Sequence, residues 1–394
     1  MDFGLLLLVG ASVRDMTESA SGSGIRSTGI DFFGDLDCRG KILTPSDDFD
    51  LEPTTLCLLK IAKEIECQGF VYGSGPENHR AALRYWEEKG LLLGNGTETL
   101  AHARDPYILR KVLKEIDIKM PEFHSPDRIP TDGFRLLKPL FGGGGHGIVR
   151  LPEEEAAIRG ILSELDEPER YIIQKEQDGI PASITFLADG HNARLVGSSY
   201  QIIQKRSGRN PFRYIGNIVP LIAPNNTFWN DMKRMASHLT AAFGLKGLNT
   251  LDFVLCDDLL VLELNPRWSG SVELIEAWLG RRLLPDHIRA CKGELPERDY
   301  REDMLSVRPR CFYGKQIIYA DTSFTVRNYE EDWQPIYKSG IRDIPKPGCQ
   351  IRKDNPVCTV LAEGATKKEC VLNLQEKTRR VREFYENNGK GVRL

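Results

Sequence analysis

The sequence lacks the cysteine and histidine spacings that bind zinc or form a redox-active disulfide. Its nine cysteines are dispersed with no C-x-x-C pair, and its seven histidines form no H-x₃₋₅-H set. An odd number of scattered cysteines is also unsuited to a disulfide framework. We therefore expect reduced cysteines, no structural zinc and a reducing compartment.

Long apolar segments and a strong net charge are absent as well. No stretch approaches the roughly 18 apolar residues of a membrane span, and the apolar run at residues 3–9 follows Asp2 instead of basic residues. The 53 basic and 56 acidic residues leave a formal net charge of −3. Such a charge gives no attraction to nucleic acid or to an anionic membrane. We therefore predict a cytoplasmic protein with neither of these partners.

What is present indicates a globular protein of several domains. The chain has 394 residues, of which 41% are apolar and 28% are charged, and this length exceeds one ordinary domain. In the first hundred residues, apolar runs at 3–9, 28–33 and 69–74 alternate with helical patterns such as that near 53–66. This alternation predicts an open α/β sheet with loops at the carboxyl ends of its strands.

The organisation of the chain changes near residue 100. Asp105 followed by Pro106 predicts a helix start, because Asp caps helices and Pro suits the first helical position. From there to about residue 295 strands and hairpins prevail, with two helices near 229–243 and 271–289. The last hundred residues form a Pro- and Gly-punctuated β segment that ends in a charged helix near 366–388.

A glycine-rich loop, FGGGGHG, lies between two β-like runs. Gly142, Gly144 and Gly147 satisfy the pattern G-x-G-x-x-G, but a dinucleotide fingerprint must open a helix and this loop does not. The loop is therefore predicted at a hairpin tip, where backbone N–H groups approach phosphates and Lys138 adds a positive charge. A mobile tip with a surface lysine is the alternative interpretation, and His146 has no assigned role.

Two acidic side chains are predicted to face each other in the hairpin at residues 251–265. A two-residue turn at 257–258 pairs Asp252 with Glu263 and places Asn265 one step further along the same face. Opposed carboxylates repel, and a cation between them reverses the sign of that interaction. Carboxylate and amide oxygens suit Mg²⁺, which takes one or two carboxylates together with substrate phosphates. Solvated acids on an exposed edge are the alternative, although the neighbouring inward positions are apolar.

Two other segments extend this candidate site. Arg267 follows the acidic hairpin directly and can hold a carboxylate or a phosphoryl group bidentately. The connection QKEQD at 174–178 is short enough for its backbone to meet the edge of a flat base. An ordinary hairpin explains the second segment equally well.

Taken in this order, these features resemble the ATP-grasp superfamily. LELNPR with an acid upstream is the specific part of the resemblance, which covers about residues 1–295. GSGPENH, LLGN and DIPKPG…VCTVLAEGAT are similar to segments of the predicted ATP-dependent carboligases (carboxylate–amine ligases) of archaea and methylotrophic bacteria. The resemblance implies a multidomain chain of α/β and α+β class. Its parts are a Rossmann-like pre-ATP-grasp domain at 1–100, an ATP-grasp domain at 101–295 with subdomains at 101–175 and 176–295, and a small β-rich C-terminal domain with a terminal helix at 296–394.

The resemblance also implies an ADP-forming ligase. Such an enzyme uses ATP and Mg²⁺, which Mn²⁺ can replace, to activate a carboxylate as an acyl phosphate and to join it to an amine or related nucleophile. Arg267 would stabilise the acyl phosphate. Lys138, the second catalytic residue, would contact the α- and β-phosphates of ATP. The implied metal ligands are Asp252, Glu263 and Asn265. The implied nucleotide-binding residues are Lys138, Gly142, Gly143, Gly144, Gly145, Gly147, Gln174, Lys175, Glu176, Gln177 and Asp178. A small carboxylate and an amine are the implied partners, and a homodimer is left open.

One departure from the family pattern lies at Pro106, where many members have a phosphate-contacting lysine. Either Arg104 or Lys111 substitutes for that lysine, or ATP binds more weakly than in those members. The sequence indicates less about the site of the acceptor substrate. The basic segment at 204–217 would either bind an acidic substrate or form a solvated loop. The arginines of that segment are Arg206, Arg209 and Arg213.

Two other functions stay open at the level of sequence. A non-catalytic nucleotide sensor would keep the ATP site, although binding alone does not require Arg267. An NAD-dependent oxidoreductase would use Gly10 and Asp31, although the first turn holds one glycine where a dinucleotide fingerprint has three. A biotin-carrier role is disfavoured because the tail contains no Met-Lys-Met.

Overall fold

The computed structural model describes residues 3–45, 54–129, 133–204, 212–223, 227–300, 311–326 and 333–386. Within these ranges the strands form a parallel four-stranded sheet, an antiparallel four-stranded sheet, an eight-stranded sheet and a two-stranded sheet. Helices pack on the larger sheets, so the predicted multidomain α/β and α+β class is confirmed. None of the helices in these ranges is both long and apolar enough to cross a membrane.

The first hundred residues form the parallel sheet, with strand order β3-β2-β1-β4. Its elements are β1 (Leu6–Val9), α1 (Arg14–Gly22), β2 (Ser27–Ile30), β3 (Lys41–Leu43), α2 (Thr55–Lys63), β4 (Gly69–Tyr72), α3 (Arg80–Glu88) and α4 (Thr97–Ala103). Every residue of β1 and β4 is buried, as expected of apolar strands covered on both faces. Because β1 and β4 are parallel neighbours, the loops that follow them lie side by side at one edge of the sheet.

The second sheet is antiparallel, with strand order β5-β8-β6-β7. The elements of this region are α5 (Pro106–Lys114), β5 (Phe123–His124), β6 (Arg135–Pro139), β7 (Val149–Arg150), α6 (Glu155–Ser163) and β8 (Tyr171–Lys175). The predicted start of α5 is confirmed: the Asp105 carboxylate accepts hydrogen bonds from the N–H groups of Tyr107 and Ile108 at 2.8 and 3.2 Å.

The eight-stranded sheet has the order β13-β12-β9-β10-β11-β14-β18-β16, and β15 pairs with β17 beside it. The elements are β9 (Ile180–Asp189), β10 (Ala193–Ile203), β11 (Tyr214–Val219), α7 (Phe228–Phe243), β12 (Lys246–Leu255), β13 (Leu259–Asn265), α8 (Val272–Leu279), α9 (Leu284–Cys291), β14 (Phe312–Tyr319), β15 (Phe324–Thr325), α10 (Gln334–Lys338), β16 (Ile341–Arg342), β17 (Gln350–Ile351), β18 (Pro356–Gly364) and α11 (Lys367–Glu386).

Two features of this region differ from simple expectation. The single helix predicted at 271–289 is two helices, because Gly280 adopts a left-handed conformation with φ +64° and ends α8. Strands β14, β16 and β18, all after residue 295, belong to the eight-stranded sheet, since β14 pairs with β11 along four residues beginning Gly216↔Gln316. The boundary proposed at residue 295 therefore divides one continuous sheet, and the domain boundaries stay a prediction.

The eight-stranded sheet carries a core on each face, because side chains alternate along its strands. Phe186 packs into the core under α5 and α7, whereas its neighbour Leu187 packs into the core under α1, α8 and α9. Helix α1 of the parallel sheet thus contributes to the core of the large sheet. This packing fixes the loops after β1 and β4 against the large sheet, where the candidate site lies.

Candidate functional site

A cleft with a cavity volume of about 940 Å³ opens where the three larger sheets meet. Its walls come from the loops after β1 and β4, from the glycine loop and hinge of the antiparallel sheet, and from strands of the eight-stranded sheet. Most residues predicted for the site line this cleft: Lys138, Gly143, Gly144, Gly145, Gln174, Lys175, Glu176, Gln177, Asp178, Asp252, Glu263, Asn265 and Arg267. Gly142 lines a smaller adjoining cavity. Gly147 lines neither of the two, and its Cα faces Pro139.

The glycine loop connects β6 and β7, which are antiparallel, so the predicted hairpin is confirmed. Gly144 and Gly145 adopt left-handed conformations with φ +62° and +75°. A Cβ on Gly145 would lie 2.0 Å from the carbonyl oxygen of Phe212, which excludes any side chain there. The Tyr214 N–H donates to the Gly144 carbonyl at 2.9 Å. The loop therefore lies against the start of β11, at the cleft, and His146 lines the cleft beside it.

Lys138 lies on β6 and reaches across the cleft to the eight-stranded sheet. Its Nζ atom donates to Glu263 Oε2 at 2.9 Å, with 16% of the lysine side chain exposed. This contact lowers the pKa of Glu263 below its ordinary range. The lysine charge is thus held at the predicted metal site, between the two sheets.

Asp252 and Glu263 do pair across the β12–β13 hairpin, but for a different reason from the one the sequence indicates. The turn is one residue longer than predicted, so the strands begin with Leu255↔Leu259. A β-bulge beyond Asp252 then shifts the register by one residue and restores the Asp252↔Glu263 pair. The predicted pairing is confirmed, and the predicted two-residue turn is wrong.

The chemistry of this acidic pair fits a divalent cation. Asp252 Oδ1 is buried and has no hydrogen-bond partner in the described part of the chain. Burial and the neighbouring Glu263 raise the pKa of Asp252 above its ordinary range. The described residues contain no group of three or more acidic, histidine or cysteine side chains able to hold a metal. Two carboxylates would therefore bind a cation only together with other oxygen ligands. Mg²⁺ is usually bound in this way, by one or two carboxylates together with waters and substrate phosphates.

The Asn265 side chain does not turn its amide oxygen towards the acids, as its predicted role as a metal ligand would require. Its amide nitrogen donates to Asp252 Oδ2 at 2.9 Å and to Glu263 Oε1 at 3.3 Å. Its amide oxygen accepts from Arg267 at 3.2 Å. The N–H group thus relieves the repulsion between the carboxylates, and the amide must turn over before its oxygen faces the acids.

Arg267 is held by Glu77, a residue for which the sequence analysis predicts no role. Its Nε atom donates to Glu77 Oε1 at 2.7 Å, and the two side chains are 9% and 2% exposed. Glu77 belongs to the GSGPENH segment, in the 3₁₀ turn Pro76–Asn78 after β4. The only signal for Glu77 in the sequence was that motif, which indicates no particular contact.

Two further residues of the amino-terminal region support the same corner of the cleft. Asn95, from the LLGN segment, donates to the Pro266 carbonyl at 3.0 Å and to Asn249 Oδ1 at 2.9 Å. The Tyr72 hydroxyl donates to the Asn95 carbonyl at 2.8 Å. The backbone next to Arg267 is therefore held at Pro266 by buried hydrogen bonds from Asn95 and Tyr72.

The question raised by Pro106 has a structural answer. Arg104 lines the small cavity together with Lys138 and Glu263. Its guanidinium donates to Asn78 Oδ1 at 2.7 Å and to the Gly142 carbonyl at 3.0 Å. Lys111 lines neither of the two cavities. Of the two candidate substitutes for the lysine, Arg104 is the one beside the glycine loop.

The hinge at 174–178 joins β8 to β9 and lines the cleft. The N–H groups of Lys175 and Glu176 donate to the carbonyls of Glu122 and Phe134, each at 2.8 Å. These two N–H groups are thus engaged in contacts with neighbouring segments. The hinge backbone would have to hydrogen-bond a base through other groups. The Gln174 side chain is buried and its Nε2 atom has no partner within the described ranges.

Of the three predicted acceptor-binding arginines, the structure describes one, Arg213. Arg206 and Arg209 lie outside the described residues. The Arg213 guanidinium lies 4.4 Å from the centre of the Tyr319 ring and donates to the Asp354 carbonyl at 3.3 Å. Arg213 is only 4% exposed and does not line the cavity. Its contacts are those of a packing residue between strands.

The dinucleotide interpretation is not supported by the geometry. The Asp31 carboxylate is buried and accepts backbone hydrogen bonds from Val13, Phe33 and Gly34 at 3.1, 3.1 and 2.8 Å. Those contacts brace the loops after β1 and β2. A ribose would have to displace them, so Asp31 is a structural residue here.

Several known proteins share sequence similarity with this chain. Residues 103–271 match the family described as ATP-grasp domain. An uncharacterized protein of Methanocaldococcus jannaschii is 24% identical over 77% of this chain and 71% of its own length. The carbamoyl phosphate synthase large chain of Thermotoga neapolitana is 23% identical over 60% of this chain, but only 22% of its own length is matched.

Solved structures share the fold at low sequence identity. The biotin carboxylase domain of Hydrogenobacter thermophilus 2-oxoglutarate carboxylase, a dimer in complex with MgADP, ADP and bicarbonate, matches with a TM-score of 0.70 at 16% identity. The match covers 91% of this chain and 85% of that one. An L-amino acid ligase from Bacillus licheniformis matches with a TM-score of 0.67 at 18% identity, over 94% of this chain and 96% of that one.

Proposed function

Because residues 103–271 of this chain match the ATP-grasp domain family, we propose that the protein is an ADP-forming ligase that uses Mg-ATP. It activates a small carboxylate as an acyl phosphate and transfers the acyl group to an amine or related nucleophile. One observation carries this proposal: Lys138, the Asp252–Glu263 pair and Arg267 converge on one cleft from separate parts of the fold. Phosphate transfer needs such a convergence, since positioning and charge neutralisation supply most of its catalysis.

Different segments of the chain would bind the phosphates, the base and the metal ion of Mg-ATP. The glycine loop offers backbone N–H groups to the phosphates, and Lys138 and Arg104 add positive charge beside it. The hinge at 174–178 lies where the base would bind. Asp252 and Glu263, with Asn265 after its amide turns, would hold Mg²⁺ or Mn²⁺, which when bound neutralises phosphate charge. A nucleotide that draws Lys138 towards its phosphates would also free Glu263 for the cation.

The proposed reaction has two steps. A substrate carboxylate oxygen attacks the γ-phosphorus, the bond from that phosphorus to the β-phosphate oxygen breaks, and ADP leaves. The amine nitrogen then attacks the acyl carbon, inorganic phosphate departs and the nitrogen loses a proton. Arg267 donates hydrogen bonds to the oxygens on which negative charge develops. No side chain of the protein becomes a nucleophile in this scheme.

The choice of carboxylate and amine as substrates rests on the relatives. The L-amino acid ligase matches almost the whole length of both chains, and N5-carboxyaminoimidazole ribonucleotide synthetase matches 95% of this chain and 96% of its own. Both support a ligase over a sensor for a chain of this extent. A dimer like that of the 2-oxoglutarate carboxylase domain is compatible with the proposal.

Product analysis tests the proposed function directly. The purified protein is incubated with Mg-ATP and a panel of carboxylate and amine pairs, and ADP and phosphate are measured. We expect release of both that depends on one acid and one amine. AMP with pyrophosphate as products would refute the ADP-forming scheme. Tight Mg-ATP binding without turnover on any pair would favour the sensor instead.

A further inference from the structure

A second group of acids lines the same cavity, formed by Asp15, Asp35 and Asp343 and called here the acidic end. Asp15 follows β1 and Asp35 follows β2, whereas Asp343 follows β16. The acidic end is joined to the proposed catalytic centre through Trp268, whose indole N–H donates to Asp15 Oδ2 at 3.0 Å. Trp268 directly follows Arg267.

The positive charges beside the acidic end are already engaged. Arg14 is 2% exposed, and its guanidinium donates to Asp343 at 3.1 Å, to Glu18 at 3.1 Å and to Glu273. Lys315 Nζ lies 3.5 Å from the same Glu273. Lys346 Nζ lies close to Gly34, 2.7 Å from the position that the Cβ atom of any other residue would occupy there. Within the described residues, Lys346 makes no hydrogen bond to Asp35. Arg14 thus pairs with Asp343 and shares Glu273 with Lys315, and neither cation makes an ion pair with Asp35 among the described residues.

Asp35 is the member of this group whose charge is not balanced. The Asp37 carboxylate behind it accepts the N–H groups of Asp343 and Ile344 at 3.1 and 2.8 Å. Asp35 itself is only 7% exposed, and its Oδ2 atom has no hydrogen-bond partner in the part of the chain that the structure describes. A buried carboxylate without a partner costs free energy, which either a proton or a bound cation can offset.

We propose that the acidic end binds the protonated amine of a substrate, with Asp35 as its principal acceptor, so that the enzyme selects a cationic acceptor substrate. This inference rests on the proposed ligase function. An ammonium group matches the site because it carries the missing charge and donates three hydrogen bonds to carboxylates. Binding of the ammonium form precedes any loss of its proton to allow attack.

Other ligands fit the acidic end less well. A carboxylate or phosphate would add negative charge beside Asp15 and Asp343 and would offer no proton to Asp35. A divalent cation would meet no group of three metal-binding side chains among the described residues, and, unlike the Asp252–Glu263 pair, the acidic end has no proposed phosphate to complete the coordination. Phe33, which is 41% exposed and lines the cavity, offers an apolar surface to the stem of an organic amine. Burial and the neighbouring acids Asp343, Asp31 and Asp37 also raise the pKa of Asp35 to about 9, so in the ligand-free protein a proton takes the place that a bound ammonium group would occupy.

Calorimetric titration with benzylamine and its neutral counterpart benzyl alcohol tests this inference. The two probes have nearly the same shape, so their difference in affinity isolates the contribution of the charge. We expect the unsubstituted protein to bind benzylamine at least ~10-fold more tightly than benzyl alcohol, on the scale of a charge-assisted hydrogen bond. Equal affinity for the two probes would overturn the proposal without recourse to any variant.

The variant Asp35→Asn keeps the shape of the side chain and removes its charge. We expect it to lose at least ~10-fold in affinity for benzylamine and to bind Mg-ADP as before. Asp258→Asn is the matched control, since Asp258 is 61% exposed and pairs with Lys119 on the surface. Unchanged benzylamine binding by a folded Asp35→Asn protein would also overturn the proposal. Failure to bind Mg-ADP, with the amine preference intact, would count against the ligase function alone.

Discussion

Glu77 and Arg267 form a buried ion pair, 2.7 Å from Oε1 to Nε, between the loop after β4 and the end of β13. The two residues are far apart in the chain and follow strands of different sheets, β4 and β13. Glu77 also accepts the N–H of Gly75 through its second oxygen. The carboxylate is therefore fixed at both ends and sets the direction in which the Arg267 guanidinium presents its remaining N–H groups.

Glu77→Gln is predicted to lower turnover by ~10- to 100-fold while Mg-ATP affinity changes little. The amide keeps the shape but loses the charge that orients Arg267, and small errors in positioning cost rate. Steady-state kinetics combined with Mg-ATP titration separates the two effects. Glu88→Gln, at an exposed position on α3, is the control. A variant that loses ATP affinity and turnover equally would show that Glu77 acts through general folding.

Lys138→Ala is predicted to lower turnover at least ~100-fold, because it removes a positive charge from the proposed phosphate site. Lys119→Ala is the matched control. Lys119 forms an ion pair with Asp258 at 2.7 Å, but its side chain is 68% exposed. Such a pair contributes little. Activity of both variants is measured at saturating Mg-ATP, and equal activity of the two would remove Lys138 from the site.

Glu263→Ala is predicted to raise the Mg²⁺ concentration needed for half-maximal activity and to lower turnover at least ~100-fold. Removal of one of two carboxylates weakens a site that has few protein ligands. The measurement is ADP formation as a function of Mg²⁺ and of Mn²⁺, with chelation by EDTA as the metal-free reference. An unaltered metal dependence in Glu263→Ala would place the cation elsewhere.

Asp35→Asn is predicted to stabilise the ligand-free protein, and to do so more at pH 8 than at pH 5. The pKa of Asp35 is raised by burial and by neighbouring acids, so the folded state retains a proton that the unfolded state releases above a pKa of about 4. Stability is therefore lost as the pH rises above that value, and Asn removes this loss. We expect urea unfolding to show a gain at pH 8 that exceeds the gain at pH 5 by at least about 1 kcal/mol. Asp258→Asn should show no such difference.

His287 is predicted to destabilise the fold in mild acid. Its Nδ1 accepts the Leu248 N–H at 2.9 Å and its ring packs without exposure, and burial lowers the pKa of His287 to about 4. The unfolded state binds its proton near pH 6.5, so stability falls as the pH drops from about 6.5 to 4, by up to about 3 kcal/mol. In His287→Gln this part of the pH dependence should disappear, as measured by urea unfolding at pH 7.5 and 4.5. His191→Gln, at an exposed position, is the control.

The structure confirms the elements that depend on local sequence. The buried strands of the parallel sheet, the Asp105 cap and the glycine hairpin follow from apolar runs, capping chemistry and glycine conformation, which act over a few residues. The Asp252–Glu263 pair was also predicted, but two local deviations from the expected hairpin cancelled. The extra turn residue and the bulge depend on how β12 fits against β9 as well as β13, and the sequence of one hairpin does not contain that information.

The sequence by itself determined the strand and helix pattern, the candidate phosphate loop and the acidic hairpin with Arg267, because each depends on neighbouring residues. Only the tertiary structure decided that Glu77 orients Arg267, that Arg104 lies at the glycine loop beside Pro106, and that Asp35 is buried with an unpaired oxygen. These contacts join residues from separate sheets. Burial and charge balance at such places are set by the packing of whole sheets, which no local pattern in the chain specifies.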